Sequence, residues 1–263
     1  MKPMKKIIKF LIHLTSIAAV LSTAILNISQ LAVVGQPPDP GTTGAPGDTV
    51  PGGPRFIEPT EDINEPPPPG TVRGRGCATS SQRSLTALVP KNKIGRTVSD
   101  YPTFFFYLPQ TDAKLAEFIL EDESGNQIYQ QELTIKNLSG VIGVSIPANT
   151  TVPPLEVGKS YTWKFSVVCD ADDRSSDQLE SGIVRRVELS ADILRQLENA
   201  DPRQKTVIYA ENGIWQDALS NLAAARRANP NDPDLAADWQ SLLDSVTLGE
   251  IAKEPIVEIE PQP

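Results

Sequence analysis

From Cys77 to Leu189 apolar and polar residues alternate with a period of two. The runs Ser84–Val89, Thr103–Leu108, Leu115–Glu121, Gln127–Thr134, Val141–Ile146, Tyr161–Cys169 and Gly182–Leu189 are each bounded by turn-forming residues. Successive side chains of a strand point to opposite faces. Seven such runs at short spacing predict an antiparallel β-sandwich. In the sixth run Tyr161, Trp163, Phe165, Val167 and Cys169 share one face, while Thr162, Lys164 and Ser166 share the other. Thr103–Leu108 is apolar on both faces, so it is expected to be central or covered on both sides. Asp122-Glu-Ser-Gly-Asn126 has the composition of a hairpin turn.

After Leu189 the period becomes helical. Ser190 can cap a helix reaching Asn199, with Ile193, Leu194 and Leu197 as its apolar stripe. Asp201-Pro202 and Asp232-Pro233 each pair an N-cap with a proline at the first helical position. Between them runs Tyr209-Ala-Glu-Asn-Gly213-Ile-Trp215-Gln-Asp-Ala218, continuing to Leu222, Ala225 and Pro230. This spacing resembles one tetratricopeptide unit, with Gly213 closing the first helix. A lone unit cannot bury its own faces. Residues 190–250, including the stripe Leu235, Trp239, Leu242 and Val246, are therefore expected to form a helical cap on the sandwich. Residues 251–263, acidic and proline-tipped, are expected to be a loose tail.

The N-terminal side lacks both periods. Lys2, Lys5, Lys6 and Lys9 precede a mostly apolar stretch from Phe10 to Ile28. Residues 1–35 therefore read as a secretory signal, with an uncleaved membrane anchor as the alternative. Residues 36–76 are rich in Pro and Gly, with acids at Asp39, Asp48, Glu58, Glu61, Asp62 and Glu65, and read as a linker. Pro66–Pro69 can form a short polyproline helix.

Charge and cysteine usage narrow the setting. The chain carries 24 basic and 33 acidic residues, a net charge of −9. Without the four lysines of residues 1–35 the balance falls to −13. Such a surface repels phosphate backbones, so nucleic acid is not an expected partner. Cys77 and Cys169 are the only cysteines. In an exported chain they are expected to form one disulfide. It would join the entrance of the domain to the end of the Tyr161 strand.

Chemistry is restricted. The only histidine is His13, inside the signal segment. Histidine triads, Cys–His dyads and histidine-ligated metals therefore have no residue to build on once the signal is removed. No glycine-rich phosphate loop is present. Two acidic groups remain. Asp170, Asp172, Asp173 and Asp177 could chelate a hard cation such as calcium, but lack an EF-hand's spacing and closing Glu. Glu121, Asp122 and Glu123 cluster at the hairpin, where solvation explains them. A pair of carboxylates can hydrolyse a glycoside, though nothing in the spacing brings two into one cleft. Trp163, Trp215 and Trp239 fall on inward faces and read as core. Asn137 and Asn149 open Asn-x-Ser/Thr sequences, which matter only in a glycosylating host.

Two resemblances add to this. Leu155-Glu-Val-Gly158-Lys-Ser-Tyr161 resembles the corner before strand F of fibronectin-III and immunoglobulin-like sandwiches, where a tyrosine hydroxyl bonds to upstream backbone. It departs from immunoglobulin domains in its cysteine, eight residues after Tyr161 rather than two. More broadly, Gly74 to about Ile256 resembles the Domain of Unknown Function 928 proteins of cyanobacteria. The carrying runs are Arg75-Gly-Cys77, Leu85-Thr-Ala-Leu-Val-Pro90, Tyr101-Pro-Thr-Phe-Phe-Phe-Tyr107, Leu155-Glu-Val-Gly-Lys-Ser-Tyr-Thr-Trp163 and Ala210-Glu-Asn-Gly-Ile-Trp-Gln-Asp-Ala-Leu219. The resemblance implies an exported protein and transfers no catalytic residue or cofactor. The combined expectation is an α+β protein of the periplasm, cell surface or medium, and a non-catalytic binding or structural module. Its partner would be an envelope protein or glycan. The alternatives are an accessory subunit of a secretion or surface assembly and a carboxylate-based polysaccharide hydrolase.

Overall fold

The computed structural model describes residues 53–60, 77, 83–148 and 152–259. Residues 1–35, expected to be a signal or anchor, most of the expected linker, and Asn149 lie outside these residues. Among the described residues two mixed β-sheets pack face to face, and three of four helices cover the outer side of one of them, the first helix packing on the second helix. The first sheet has the order β1 (Thr86–Ala87), β3 (Thr103–Leu108), β6 (Gly140–Ser145), β9 (Ile256–Val257). The second runs β2 (Ile94–Thr97), β8 (Gln178–Arg186), β7 (Ser160–Val168), β4 (Leu115–Glu121), β5 (Gln127–Thr134).

The inter-sheet core follows from alternation. Ala116, Phe118 and Leu120 of β4 and Trp163, Phe165 and Val167 of β7 point inward, opposite Phe104, Phe106 and Leu108 of β3. Phe106 stacks on Phe165 with ring centroids 4.2 Å apart. Gly182 lies under Trp163; a side chain there would strike the indole and sit 2.6 Å from the Lys93 carbonyl.

Several expectations need correcting, and the β2 strand was not expected at all. The sheets are not purely antiparallel: β2 pairs with β8 and β9 with β6 in parallel. Ile94-Gly-Arg-Thr97 carries one bulky apolar residue, so its pattern is silent; pairing with β8 makes it a strand. The run Ser84–Val89 shrinks to two residues, because Val89 N–H donates back to the Ala87 carbonyl and the Leu88 carbonyl turns to Trp215. The run expected over Gly182–Leu189 instead starts at Gln178. Its inward polar residues are paired, Glu180 with Lys93 at 2.5 Å and Gln178 with the Leu85 amide.

The tail is not loose as far as it is described. Gly249–Lys253 forms a 3-10 turn with Ile251 buried, and Pro255 O accepts from Val141 N–H at 2.7 Å beside the β9 pairing. Nor are residues 53–60 pure spacer, since Pro54 is buried and Phe56 meets Trp215 edge-on.

The helices are α1 (Ala191–Glu198), α2 (Pro202–Glu211), α3 (Trp215–Ala228) and α4 (Pro233–Asp244). Ser190, Asp201 and Asp232 cap α1, α2 and α4 through their side chains, and Asp201 with Gln204 makes a full capping box. Gly213 ends α2 at φ 71°, a conformation that glycine adopts without cost. Arg203 of α2 holds the buried Asp238 of α4 with two hydrogen bonds, 2.6 and 3.0 Å. The second core joins Phe105, Tyr107, Val141 and Leu88 to Trp215, Leu219, Leu222, Trp239 and Leu242. The two faces of β3 thus serve two cores.

Candidate functional site

A cleft of about 400 Å³ opens where the β2–β3 loop meets α2 and α3. Thr97, Ser99, Tyr101 and Pro102 form one wall; Lys205, Tyr209, Gln216, Asp217 and Asn221 form the other. Two of the runs that carry the family resemblance, Tyr101–Tyr107 and Ala210–Leu219, converge here.

Asp217 organises the junction. It lies in the first turn of α3, and its Oδ2 accepts the Val98 N–H at 3.1 Å. Thr97 donates its hydroxyl to the same carboxyl and accepts the Ser99 N–H at 3.1 Å. Burial pushes the Asp217 carboxyl above its ordinary value, against these hydrogen bonds. The Tyr209 phenol is raised as well, by burial first and by the Asp217 charge second. Asn221 donates to Thr206 Oγ1 at 2.7 Å and to the Pro202 carbonyl. The cleft thus offers two phenols, two amides, several hydroxyls, one ammonium and one carboxylate. Such a lining suits a small polar, hydroxyl-rich ligand.

Of these cleft residues the sequence pattern singles out only Tyr209, and as a structural residue rather than a ligand contact. Asp217 and Tyr101 lie within the runs that carry the family resemblance, but a polar residue in a first helical turn or beside a proline reads as local structure. The residues it did single out have structural surroundings. Leu155 is buried in the inter-sheet core. The Tyr161 hydroxyl accepts the Glu156 N–H at 2.9 Å, and Gly158, at φ 82°, donates its N–H to the Arg186 carbonyl. Trp163 lies in the first core, Trp215 and Trp239 in the second, and Tyr209 bridges the second core and the cleft.

Cys77 and Cys169 form the disulfide, with Cα atoms 5.2 Å apart. The bond links the segment before β1 to the residue after β7. The Cys77 carbonyl accepts from Thr111, in the β3–β4 connection, at 2.9 Å.

The acidic groups are spent on turns and ion pairs. Asp170 accepts from the Asp172 N–H, and Asp173 from Ser175. Asp177 takes the Cys169 N–H at 3.0 Å and Arg174 Nε at 2.5 Å. At the hairpin, Asp122 binds Ser124 and Asn126, Glu121 pairs with Lys164 at 2.6 Å, and Glu123 takes the Ser160 N–H.

Together these features define an α+β protein of two β-sheets and a helical layer, cross-linked once, with a polar cleft at their junction. Residues 69–256 match the family described as "Domain of Unknown Function (DUF928)", and the chain belongs to that family. No curated protein matches the chain. Among solved structures, the fn3 domain of the human collagen alpha-1(XX) chain is similar at 14% identity, over 43% of this chain and 88% of that one. The TM-score is 0.23, too low to carry any argument.

Proposed function

We propose that this protein is an exported, non-catalytic binding module of the cell envelope or surface, which takes a polar ligand in the cleft between the β2–β3 loop and α2–α3. The observation that carries the reading is the cleft's chemistry. Among the described residues its lining contributes a single carboxylate, Asp217, already engaged by Thr97 and Val98. Glycoside hydrolysis by paired carboxylates needs a second acid across the bond. Phenols and amides beside hydroxyls recognise sugars and polar peptides by contact alone. The Cys77–Cys169 bond supports an oxidising compartment, where such bonds persist. The Tyr161 corner supports an immunoglobulin-like reading of the sandwich, and Gly213 with the α2–α3 pair supports a tetratricopeptide-like reading of the helices.

The test is a glycan array on the mature chain, with product analysis and with Asp217→Asn and Tyr101→Ala as controls. Binding without turnover, lost in Tyr101→Ala, is expected; released sugar would instead restore the hydrolase. Mass spectrometry of the mature N-terminus should give a start between about residue 25 and residue 37. An intact Met1 in a soluble cytoplasmic fraction would sink export. A second reading, an accessory subunit of a surface assembly, draws on Leu194 of α1, an apolar side chain 49% exposed on the helical layer. A pull-down from envelope fractions separates the two.

A further inference from the structure

Residues 36–76 contain a single aromatic, Phe56, within Pro54-Arg-Phe-Ile-Glu-Pro59. This stretch is extended against the helices, and its side chains divide as those of a docked peptide do. Pro54 is buried and Phe56 half-buried, whereas Arg55 and Ile57 are exposed. The Phe56 ring stands edge-on to Trp215, centroids 5.1 Å apart and planes at 82°, the favoured aromatic geometry. Two hydrogen bonds from backbone N–H groups of this stretch set its register. Phe56 N–H donates to Ser245 Oγ at the end of α4, and Ile57 N–H to the Ala210 carbonyl near the end of α2, at 3.0 and 3.1 Å. Gly213 completes the groove: a Cβ there would lie 2.5 Å from Pro59. At the far end the Glu58 carboxylate accepts Asn92 Nδ2 at 2.5 Å.

We propose that the groove made by Ala210, Gly213, Trp215 and Ser245 is a recognition site for extended Pro-x-Phe-x-x-Pro peptides, with residues 54–59 as its intramolecular occupant. The walls lie inside the family-matched span and the occupant lies before its first residue, 69. The occupant is thus an addition to the domain, held by one aromatic anchor, two hydrogen bonds from its backbone N–H groups and one to the Glu58 carboxylate. Sixteen residues separate Thr60 from the disulfide-bonded Cys77. A tether of that length sets an effective concentration of about 1 mM. Any intrinsic Kd well below that keeps the groove mostly filled and weakens a competing peptide by about the ratio of the effective concentration to that Kd. A partner carrying the same pattern therefore enters only at high local concentration, or after the linker is cut. The groove shares no lining residue with the cleft, so the two readings fail independently.

The test uses the full mature chain and a labelled synthetic peptide of residues 51–62. The Phe56→Ala chain should bind this peptide at least tenfold more tightly than wild type, and a peptide with Phe replaced by Ala should bind neither. In parallel, a protease site inserted after Asn64 should let the N-terminal fragment leave on dilution to nanomolar concentration, with a shift in tryptophan emission. Equal binding by both chains, or none by either, overturns the proposal. So does a cut fragment that stays bound at any dilution, which would make residues 53–60 part of the core.

Discussion

The two cores that share β3 are built on different rules. Between the sheets, Phe104, Phe106, Phe118, Trp163 and Phe165 meet through rings alone, and among the described residues the Trp163 Nε1 has no hydrogen-bond partner, as holds also for the Trp239 Nε1 in the second core. Between sheet and helices, Trp215 donates its Nε1–H to the buried Leu88 carbonyl at 2.8 Å. There Asp217 also ties α3 to the β2–β3 loop. Alternation already sets the register of a sheet, so the first core needs only volume. A helix on a sheet can slide or rotate with little loss of apolar contact. In the second core, directional bonds select one docking among many.

Removing one partner altogether should have the largest effect. A chain ending at Leu189 leaves Leu88, Phe105, Tyr107 and Val141 uncovered and deletes β9. Each large side chain then forgoes about 2–3 kcal/mol of burial, and several together rival the stability of a whole domain. Aggregation or a broad, non-cooperative melt is expected by light scattering and calorimetry. A soluble monomer with a sharp transition would show that the helices are an independent appendage.

Adjacent residues on β3 sharpen the contrast. Phe106→Ala opens a cavity between two sheets that cannot close on it, and should cost about 4 kcal/mol in urea unfolding. Phe105→Ala opens one under helices that can settle, and should cost about 2–3 kcal/mol. Equal losses would mean that the helical layer is as rigid as the sheets. Next come the tryptophans. Trp215→Phe leaves the Leu88 carbonyl unsatisfied and should cost about 2 kcal/mol. Trp163→Phe removes a donor that has no partner, so only its lost volume counts, about 1 kcal/mol or less. The reverse order would remove the distinction between the cores.

The smallest effect is electrostatic. Burial raises the Asp217 carboxyl above 3.8 in the folded state, so the native protein holds this proton more tightly than the unfolded chain. The stability contributed by Asp217 is therefore greatest below pH 3.8 and declines as pH climbs toward the raised value. Melting temperatures of wild type and Asp217→Asn, followed from pH 3.5 to 7, should show wild type losing ground over that interval. A constant difference would place the carboxyl in water rather than in the junction.

Much of the fold was legible because its signals are local. Runs such as Leu115–Glu121 and Tyr161–Val168 alternate cleanly, and Ser190, Asp201-Pro202 and Asp232-Pro233 cap their helices within a few residues of chain. The strands β2 and β9 were not legible, since four residues and two carry no period of their own and exist through parallel partners distant in sequence. The cleft escaped for a related reason: its walls, around Tyr101 and around Asp217, are more than a hundred residues apart, and neither is unusual alone.

By itself the sequence determined most of the longer strands and the helices, that Thr103–Leu108 needs cover on both faces, and that two cysteines stand ready to pair. These follow from periodicity, capping and composition, which act over a few residues. Tertiary structure alone decided which face of β3 meets the helices, that Trp215 reaches the Leu88 carbonyl, and that Phe56 leaves its proline-rich surroundings to lie on the helical layer. Those outcomes depend on surfaces brought together across long stretches of chain, where burial and a few directional hydrogen bonds choose among arrangements that local pattern leaves equal.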